Sequence, residues 1–176
     1  MEITCGEAPF MTSRYDTTTG RAIHIEDRIG FLDRKLRIVN ENTCNREDWF
    51  DAAVTAYQTS RAYEWQGDNL LLARESLLYT FIDNYEYKFG ERTDHELVRE
   101  IADIISWNVW QMDGLKGVIP NSCHDVENRN LYGEIERTPC PGYRTNNIHN
   151  HNGIPVLLKA FSSGNTYPFH LLSKKR

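Results

Sequence analysis

The sequence has no long apolar stretch and no segment typical of an export signal. Nothing in its 176 residues approaches the roughly 18–20 consecutive apolar residues that a membrane-spanning helix needs. The opening MEITCGEAPF has neither the basic segment nor the apolar segment that directs secretion. With four cysteines and no such signal, a disulfide framework is not favoured. We therefore expect a cytoplasmic protein, and the length indicates one domain.

The chain also has no excess of positive charge. It contains 25 Asp and Glu against 20 Lys and Arg, for a net charge of −5. Proteins that bind DNA through its phosphates are usually basic, because Lys and Arg make the contacts with the phosphates. Direct DNA binding is therefore not expected, and the charge favours a partner protein with a basic surface.

Signatures of common catalytic sites are missing as well. The sequence contains no P-loop and no HExxH, and no arrangement of Ser, His and Asp suggests a nucleophilic triad. No internal repeat or low-complexity tract is present. What remains to interpret is the helical patterning and one cluster of metal-ligand residue types.

Apolar residues recur at helical spacing through the middle of the chain. Residues 70–89 predict a long helix, with Asp68 and Asn69 as its N-cap and Gly90 as the residue that ends it. A second helix is predicted to follow from a capping box of Thr93 and Glu96, and the short link makes the two antiparallel neighbours. The predicted apolar positions are Leu70, Leu71, Leu77, Leu78, Phe81, Ile82, Tyr85 and Phe89 in the first helix, and Leu97, Ile101, Ile104 and Ile105 in the second.

Two shorter helices are predicted upstream, at 46–59 and 27–39. Their predicted inward residues are Trp49, Ala53, Ala56 and Tyr57 in the first, and Ile29, Leu32, Leu36 and Val39 in the second.

The character of the chain changes after Pro120. Residues 120–153 are rich in Pro, Gly, Asn, Cys and His and show no periodicity, which predicts a loop that needs an added constraint to hold one conformation. The segment 154–176 has two apolar runs flanking Ser-Ser-Gly-Asn, a pattern that predicts a β-hairpin. We therefore divide the single domain into a helix-rich core at 1–119, the loop at 120–153 and the hairpin at 154–176.

Five residues of metal-ligand type lie in that loop: Cys123, His124, Cys140, His149 and His151. Zinc takes about four nitrogen or sulfur ligands, and a bound ion contributes most where a loop is otherwise unsupported. In an extended chain His149 and His151 point to the same side, whereas the adjacent Cys123 and His124 point apart. We predict a zinc site of Cys123, Cys140, His149 and His151, with His124 as a reserve ligand. The alternative is a set of surface histidines and two unrelated thiols.

A closed set of four protein ligands leaves no position for water, so the predicted ion is structural rather than catalytic.

Four stretches of the chain carry a resemblance: ITCGEAPFMTSRYDTTTG, IGFLDRKLRIVNENT, AYEWQGDNLLLARESLLYTFID and ISWNVWQMDGLKGVIPNSCH. They resemble segments of bacterial and phage N6-adenine DNA methyltransferases, the modification subunits of restriction systems. The resemblance implies a doubly wound α/β fold that binds S-adenosylmethionine at the ends of its strands. It also implies that Gly6 lets the backbone approach the cofactor, that Glu64 holds the ribose hydroxyls and that Asp113 pairs with the adenine.

The catalytic motif of such enzymes is missing. It is an Asn, Asp or Ser followed by Pro-Pro and an aromatic residue, and it holds the flipped adenine at the methyl donor. The prolines stand at positions 9, 120, 139, 141, 155 and 168, and none are adjacent. No catalytic residue is therefore predicted, and Gly6, Glu64 and Asp113 are interpreted as vestigial.

These observations predict an α/β or α+β fold with a helix-rich, eroded methyltransferase-like core, a metal-bound loop and a C-terminal hairpin. The predicted function is that of a non-catalytic, zinc-binding interaction protein. By analogy of size and charge, it is a phage or mobile-element inhibitor of a nuclease in the bacterial host's cytosol. That would be an anti-CRISPR protein that blocks nucleic-acid loading of a Cas9-type effector. The alternative is an S-adenosylmethionine-dependent N6-adenine DNA methyltransferase, or a subunit or fragment of one.

Overall fold

The computed structural model describes residues 1–142, 149 and 152–172, with the side chains of Glu2, Ile3 and Leu172 excepted. The chain forms two compact units, Met1–Trp110 and Gln111–Arg176. Helices dominate the first unit and short antiparallel hairpins the second. The predicted class, a helix-rich α/β or α+β fold with a C-terminal hairpin, is confirmed.

Within the described part of the first unit there are four α-helices: α1 (Phe31–Asn42), α2 (Arg46–Gln58), α3 (Gly67–Phe89) and α4 (His95–Asn108). Helix α2 packs against α1 and α4, and α3 packs against α4. A short 3-10 turn at Ile25–Asp27 precedes α1. None of the helices in the described residues combines the length and the apolar character that crossing a membrane requires.

Three short strands form a sheet in the order β1-β2-β3: β1 (Glu2–Ile3), β2 (Ala62–Glu64) and β3 (Val109–Gln111). Strands β1 and β2 are parallel, with Glu2 opposite Ala62 and Ile3 opposite Tyr63. The carboxyl ends of parallel strands meet at one edge of a sheet. The residues that follow β1 and the last residue of β2 therefore lie side by side.

An aromatic cluster forms the centre of the first unit. Trp49 of α2 has no exposed surface, and its ring centroid lies 5.6 Å from that of Phe81 and 5.5 Å from that of Tyr85, both on α3. Its indole N–H donates to Asn40 Oδ1 over 2.7 Å, so the buried polar atom is satisfied. The four residues of α2 that were predicted to face inward, Trp49, Ala53, Ala56 and Tyr57, are all buried.

The start of α1 differs from the prediction, because tertiary contacts fix it. The helix begins at Phe31 rather than at residue 27. Asp33 Oδ2 accepts hydrogen bonds from the backbone amides of Gly30 and Ser13, at 3.1 and 2.7 Å. A Cβ on Gly30 would lie 2.3 Å from Met11 O, so only glycine allows the chain to approach this closely.

Helix α2 begins at Arg46, as predicted, whereas the starts of α3 and α4 differ from the prediction. Helix α3 begins at Gly67, before the predicted cap Asp68-Asn69, and ends at Gly90 in the left-handed conformation (φ 69°), as predicted. Helix α4 is preceded by Asp94, so Thr93 is not the cap residue and the predicted capping box is wrong.

Two apolar residues that were predicted to be buried are exposed: Ile29 by 74% and Leu71 by 67%. Ile29 precedes α1, so it lies outside the helical register on which its assignment depended. The buried stripe of α3 passes instead through Leu70, Ala73, Leu77, Thr80, Phe81, Asn84 and Tyr85.

The second unit contains two antiparallel hairpins in its described residues. The C-terminal one pairs β6 (Leu157–Lys159) with β7 (Thr166–Pro168) and turns at Gly164 (φ 70°), within the predicted Ser-Ser-Gly-Asn. The other pairs β4 (Val126–Arg129) with β5 (Ile135–Thr138) and lies inside 120–153, where only a loop was predicted. Its strands are mostly exposed, which explains why the sequence shows no alternation of apolar and polar residues there.

Candidate metal centre

The second unit brings together three residues of metal-ligand type. Cys123, Cys140 and His149 each offer one ligand atom, and these three atoms all lie within 4.8 Å of one another. Cys123 Sγ lies 3.2 Å from His149 Nδ1. Cys140 and His149 are buried, and Cys123 is half-buried. Two thiols and an imidazole in this arrangement can hold a metal ion, since zinc prefers sulfur and nitrogen ligands.

The other two predicted ligands are not part of this group. His151 lies outside the described residues, so its place in the site stays a prediction. His124 has an exposed side chain, and its Nδ1 lies 3.0 Å from Ser122 O. The reserve ligand therefore has another partner, and the cluster uses the cysteine beside it.

His149 is held in place by the main chain around it. Its N–H donates to Lys116 O and its carbonyl accepts from Gly153 N, each over 3.0 Å. A Cβ on Gly142 would lie 2.7 Å from the imidazole ring, and one on Gly153 would lie 2.8 Å from His149 O. Both glycines are thus required by the close approach of the histidine.

Two turns position the ligands along the chain. In the first, Asp113 N donates to Val118 O over 2.8 Å, and Lys116, the acceptor for His149, lies within the turn. The second precedes Cys123, where Ser122 Oγ accepts from Ile154 N over 3.0 Å. The abundant Pro, Gly, Asn and Ser residues of this region therefore form turns, and these turns position the candidate ligands.

Burial raises the pKa of the Cys123 thiol, and the hydrogen bond with Cys140 and the charge of that neighbouring thiol raise it further. The cation of Lys116 opposes this, while the carboxylate of Asp113 adds to it. A divalent cation bound at this pair would oppose the shift, because both thiols must bind it as thiolates and its charge stabilises them.

The number of ligands decides which chemistry the site can perform. Three protein ligands with water in the fourth position are typical of catalytic zinc, and four protein ligands are typical of structural zinc. The described residues supply three. The predicted fourth ligand, His151, would close the site and make the ion structural.

The structure places Gly6 and Glu64 together at one edge of the sheet. Glu64 ends β2 and is 3% exposed. Its Oε2 accepts from Gly6 N over 2.6 Å, and its Oε1 accepts from Gln66 N over 3.0 Å. Gly6 has a positive φ of 56°, which glycine adopts without strain.

Asp113, the third residue implied by the resemblance, belongs to the second unit. Its Oδ1 accepts from the amides of Leu115 and Lys116 over 3.0 and 3.1 Å. Its Oδ2 lies 3.7 Å from Lys116 Nζ. This carboxylate organises the turn that holds His149, as aspartate commonly does in turns.

Comparison of the chain with models of protein families, with curated proteins and with solved structures finds no match.

Two glycines of the site, Gly142 and Gly153, escaped sequence reasoning. Gly142 lies close against the His149 ring, but in the sequence it resembles the glycine of an ordinary turn that follows Pro141. The signal that could have identified it is its position two residues after the candidate ligand Cys140, where the absence of a side chain leaves room for His149.

Proposed function

We propose that this protein is a non-catalytic, zinc-binding interaction protein that docks on a basic surface of a nuclease. The observation that carries the proposal is the convergence of Cys123, Cys140 and His149 within 4.8 Å. A zinc ion bound there would fix a unit whose described strands are short and mostly exposed, in the way that structural zinc stabilises small domains with little core of their own.

The hydrogen bonds of Glu64 support a structural role for it. In a cofactor site this carboxylate would face the ribose hydroxyls of a ligand. Here each of its oxygens already accepts from a backbone amide, Gly6 N for one and Gln66 N for the other. Asp113 is likewise committed to its own turn. These hydrogen bonds and the missing Pro-Pro motif favour a structural role for Glu64 and Asp113 over a role in binding a cofactor.

The distribution of charge supports a basic partner. Met1–Trp110 contains 20 acidic and 12 basic residues, a net charge of −8, whereas Gln111–Arg176 contains 5 acidic and 8 basic residues, a net charge of +3. The acidic excess is therefore concentrated in the helical unit. The exposed acidic residues of α2 and of α4 with its N-cap are Glu47, Asp48, Asp51, Asp94, Glu96, Glu100 and Asp103.

Complementary charge guides association and selects partners. The basic channel that holds nucleic acid in a Cas9-type nuclease is the partner surface that we propose, and its occupation would block loading of guide or target.

The partner is tested by capture of purified Cas9, with and without guide RNA, on the immobilised protein, followed by a DNA-cleavage assay. Stoichiometric capture together with blocked cleavage is expected. The Glu64→Ala variant, once circular dichroism has shown that it is folded, should behave like the wild type in both assays, because only 3% of Glu64 is exposed to a partner. Absence of capture in both states would overturn the proposed partner.

The zinc ion is tested separately by metal analysis of the purified protein. One zinc per chain is expected in the wild type and in Cys44→Ser, since Cys44 is an exposed free cysteine outside the cluster. Loss of zinc is expected in Cys140→Ser. Equal metal content in the two variants would overturn the assignment of Cys140 as a ligand.

One observation favours the alternative, a methyltransferase or a part of one. Gly6 follows β1 and Glu64 ends β2, and the two strands are parallel neighbours, the strand edge at which open α/β sheets bind their ligands. Titration calorimetry with S-adenosylmethionine distinguishes the two functions. Saturable binding that Glu64→Ala abolishes would favour the enzyme, and absence of binding at millimolar cofactor would reject it.

A further inference from the structure

A cleft of about 970 Å³ in the first unit shares no residue with the metal centre. One wall is the outer face of α3, where Leu72, Glu75 and Tyr79 line the space, and the other is formed by residues between 7 and 23. Leu72, Glu75 and Tyr79 are all exposed, so these three side chains keep surface that a ligand could contact.

The cleft holds a guanidinium between two tyrosines. The Arg14 guanidinium carbon lies 5.3 Å from the ring centre of Tyr15 and 5.2 Å from that of Tyr79. Tyr15 and Tyr79 remain 53% and 46% exposed, so each keeps surface for a second group. Arg14 shares an ion-pair partner, because Asp83 Oδ2 lies 3.0 Å from its Nη2 and 2.8 Å from Arg28 Nη1.

Two carboxylates line the same cleft without partners. Glu7 and Glu75 are exposed, and neither makes a hydrogen bond or an ion pair within the described residues. The third acid of the cleft, Asp16, differs from them. Its Oδ1 accepts from Thr18 N and from both the amide and the hydroxyl of Thr19, and these bonds lower its pKa.

The walls are preorganised by backbone hydrogen bonds. Ile23 N donates to Arg14 O over 2.8 Å, and Asp16 N donates to Arg21 O over 2.9 Å, so residues 14–23 form a closed hairpin-like turn. The hydroxyls of Thr12 and Ser76, on opposite walls, lie 2.9 Å apart. A cleft built in this way loses little entropy when a ligand enters it.

We propose that this cleft binds an arginine side chain of the partner protein, with Glu7 and Glu75 as its carboxylate acceptors and Tyr15 and Tyr79 as its stacking surfaces. The proposal rests on the proposed function, since it names the chemistry by which a basic partner is recognised. A guanidinium is planar, stacks on aromatic rings and bonds carboxylates in a fork geometry. Arg14 shows that these tyrosines stack with a guanidinium, and the partner's arginine would use the surface that they leave exposed.

An anionic ligand fits the cleft poorly. Glu7, Asp16 and Glu75 would repel a phosphate or a carboxylate, and they outnumber Arg14, the one cation among the described lining residues. An uncharged ligand would leave both carboxylates without a countercharge. The lining therefore favours a cation, and the tyrosines favour a flat one.

The test uses a short, fluorescein-labelled oligo-arginine peptide at physiological ionic strength, with fluorescence anisotropy as the readout. A citrulline peptide of equal length is the control probe, because citrulline keeps the shape of arginine and removes its charge. We expect saturable binding of the arginine peptide only. Glu75→Gln and Tyr79→Leu should each weaken it by about fivefold to tenfold, the range for loss of one charged or cation–π contact.

The matched control variant is Glu100→Gln. Glu100 is also an exposed helical glutamate without a partner in the described residues, but it lies on α4, outside the cleft. The affinity of the Glu100→Gln variant for the arginine peptide should stay within about twofold of that of the wild type. Equal losses in Glu75→Gln and Glu100→Gln, or no binding of the arginine peptide by the wild type, would overturn the proposal.

The same assays separate this inference from the proposed function. Capture of the nuclease without any binding of the arginine peptide would retain the function and reject the cleft. Peptide binding that depends on Glu75, with no capture of the nuclease, would retain the cleft as an arginine site and reject the proposed partner.

Discussion

The two units of this chain are stabilised by different kinds of contact. In Met1–Trp110, helices α1 to α4 bury an aromatic cluster around Trp49. In Gln111–Arg176, the described strands are three or four residues long, and turns and hairpins bring two thiols and an imidazole together. Apolar burial around the aromatic cluster dominates the first unit, whereas the second buries smaller apolar residues, Met112, Val118, Val156 and Leu158, beside a cluster that could hold a metal ion.

This difference determines which changes each unit tolerates. An apolar core loses stability in proportion to the volume removed, wherever in the core the change is made. A metal centre depends on very few atoms, so a change of one ligand, or of one glycine beside a ligand, acts on the whole site. Variants of the two units should therefore respond differently to a chelator.

The largest effect is expected from Trp49→Ala. It removes the fully buried ring that contacts Phe81, Tyr85 and Phe89 and leaves Asn40 Oδ1 without its donor. The expected loss is about 3–5 kcal/mol of unfolding free energy, the range for a buried aromatic residue. Urea denaturation followed by far-ultraviolet circular dichroism measures it, with and without a chelator.

The matched control is Leu71→Ala on α3, which removes a side chain that is 67% exposed. It should change the unfolding free energy by less than about 0.5 kcal/mol. A chelator that abolished the effect of Trp49→Ala would show that the contrast between the two units is wrong.

The next largest effect is expected from Cys140→Ser when zinc is present. A zinc ion that binds only the folded state adds about 2.7 kcal/mol to the unfolding free energy when free zinc is about 100 times its dissociation constant. The variant that cannot bind zinc loses this contribution. The melting temperature of the variant should therefore fall in zinc, and most of its difference from the wild type should vanish in chelator. Cys44→Ser is the control, and an equal drop in both variants would argue against a structural ion.

The helical pattern of the first unit could be predicted because burial there follows one period. Trp49, Ala53, Ala56 and Tyr57 recur at helical spacing and are all buried, and Gly90 ends α3 as its left-handed preference indicates. The start of α1 could not be predicted, since it depends on hydrogen bonds between Asp33 and Ser13, residues that the sequence pattern does not connect.

The convergence of Cys123, Cys140 and His149 could be predicted for another reason. Cys and His are rare, and their concentration in a segment without periodicity needs no knowledge of the fold. The surroundings of the site could not be predicted in the same way. The β4–β5 hairpin exposes most of its strand residues, and the contact of Gly142 with the His149 ring depends on tertiary geometry.

A smaller effect is expected from Gly142→Ala, and it sharpens the contrast within the second unit. The new Cβ would lie 2.7 Å from the His149 ring, so the imidazole must shift from the cluster. Zinc affinity should fall by about tenfold, which is about 1.4 kcal/mol. A competition titration with a chromophoric chelator measures it.

The control is Gly164→Ala in the β6–β7 turn. It has open space around its Cβ but a positive φ of 70°, so it should cost about 1 kcal/mol of backbone strain while leaving zinc affinity unchanged. If both variants lose zinc affinity equally, the contact between Gly142 and His149 does not position the ligand.

The smallest effect is expected from Tyr57→Phe, which probes the first unit by pH. Burial raises the pKa of Tyr57 well above its ordinary value of 10.0, and the charges of Asp33 and Asp83 raise it further. Its hydroxyl donates to Leu77 O over 2.8 Å. A group whose pKa is raised on folding contributes its full stability below the pKa of the unfolded chain, and this contribution declines as the pH rises above it.

At neutral pH, Tyr57→Phe should cost about 1 kcal/mol, the net value of one hydrogen bond. The unfolding free energy of the wild type should fall more steeply above pH 10.0 than that of the variant, as urea denaturation across the alkaline range would measure. Parallel curves for the two proteins would mean that Tyr57 ionises as readily in the folded chain as in the unfolded one, in conflict with its position in the core.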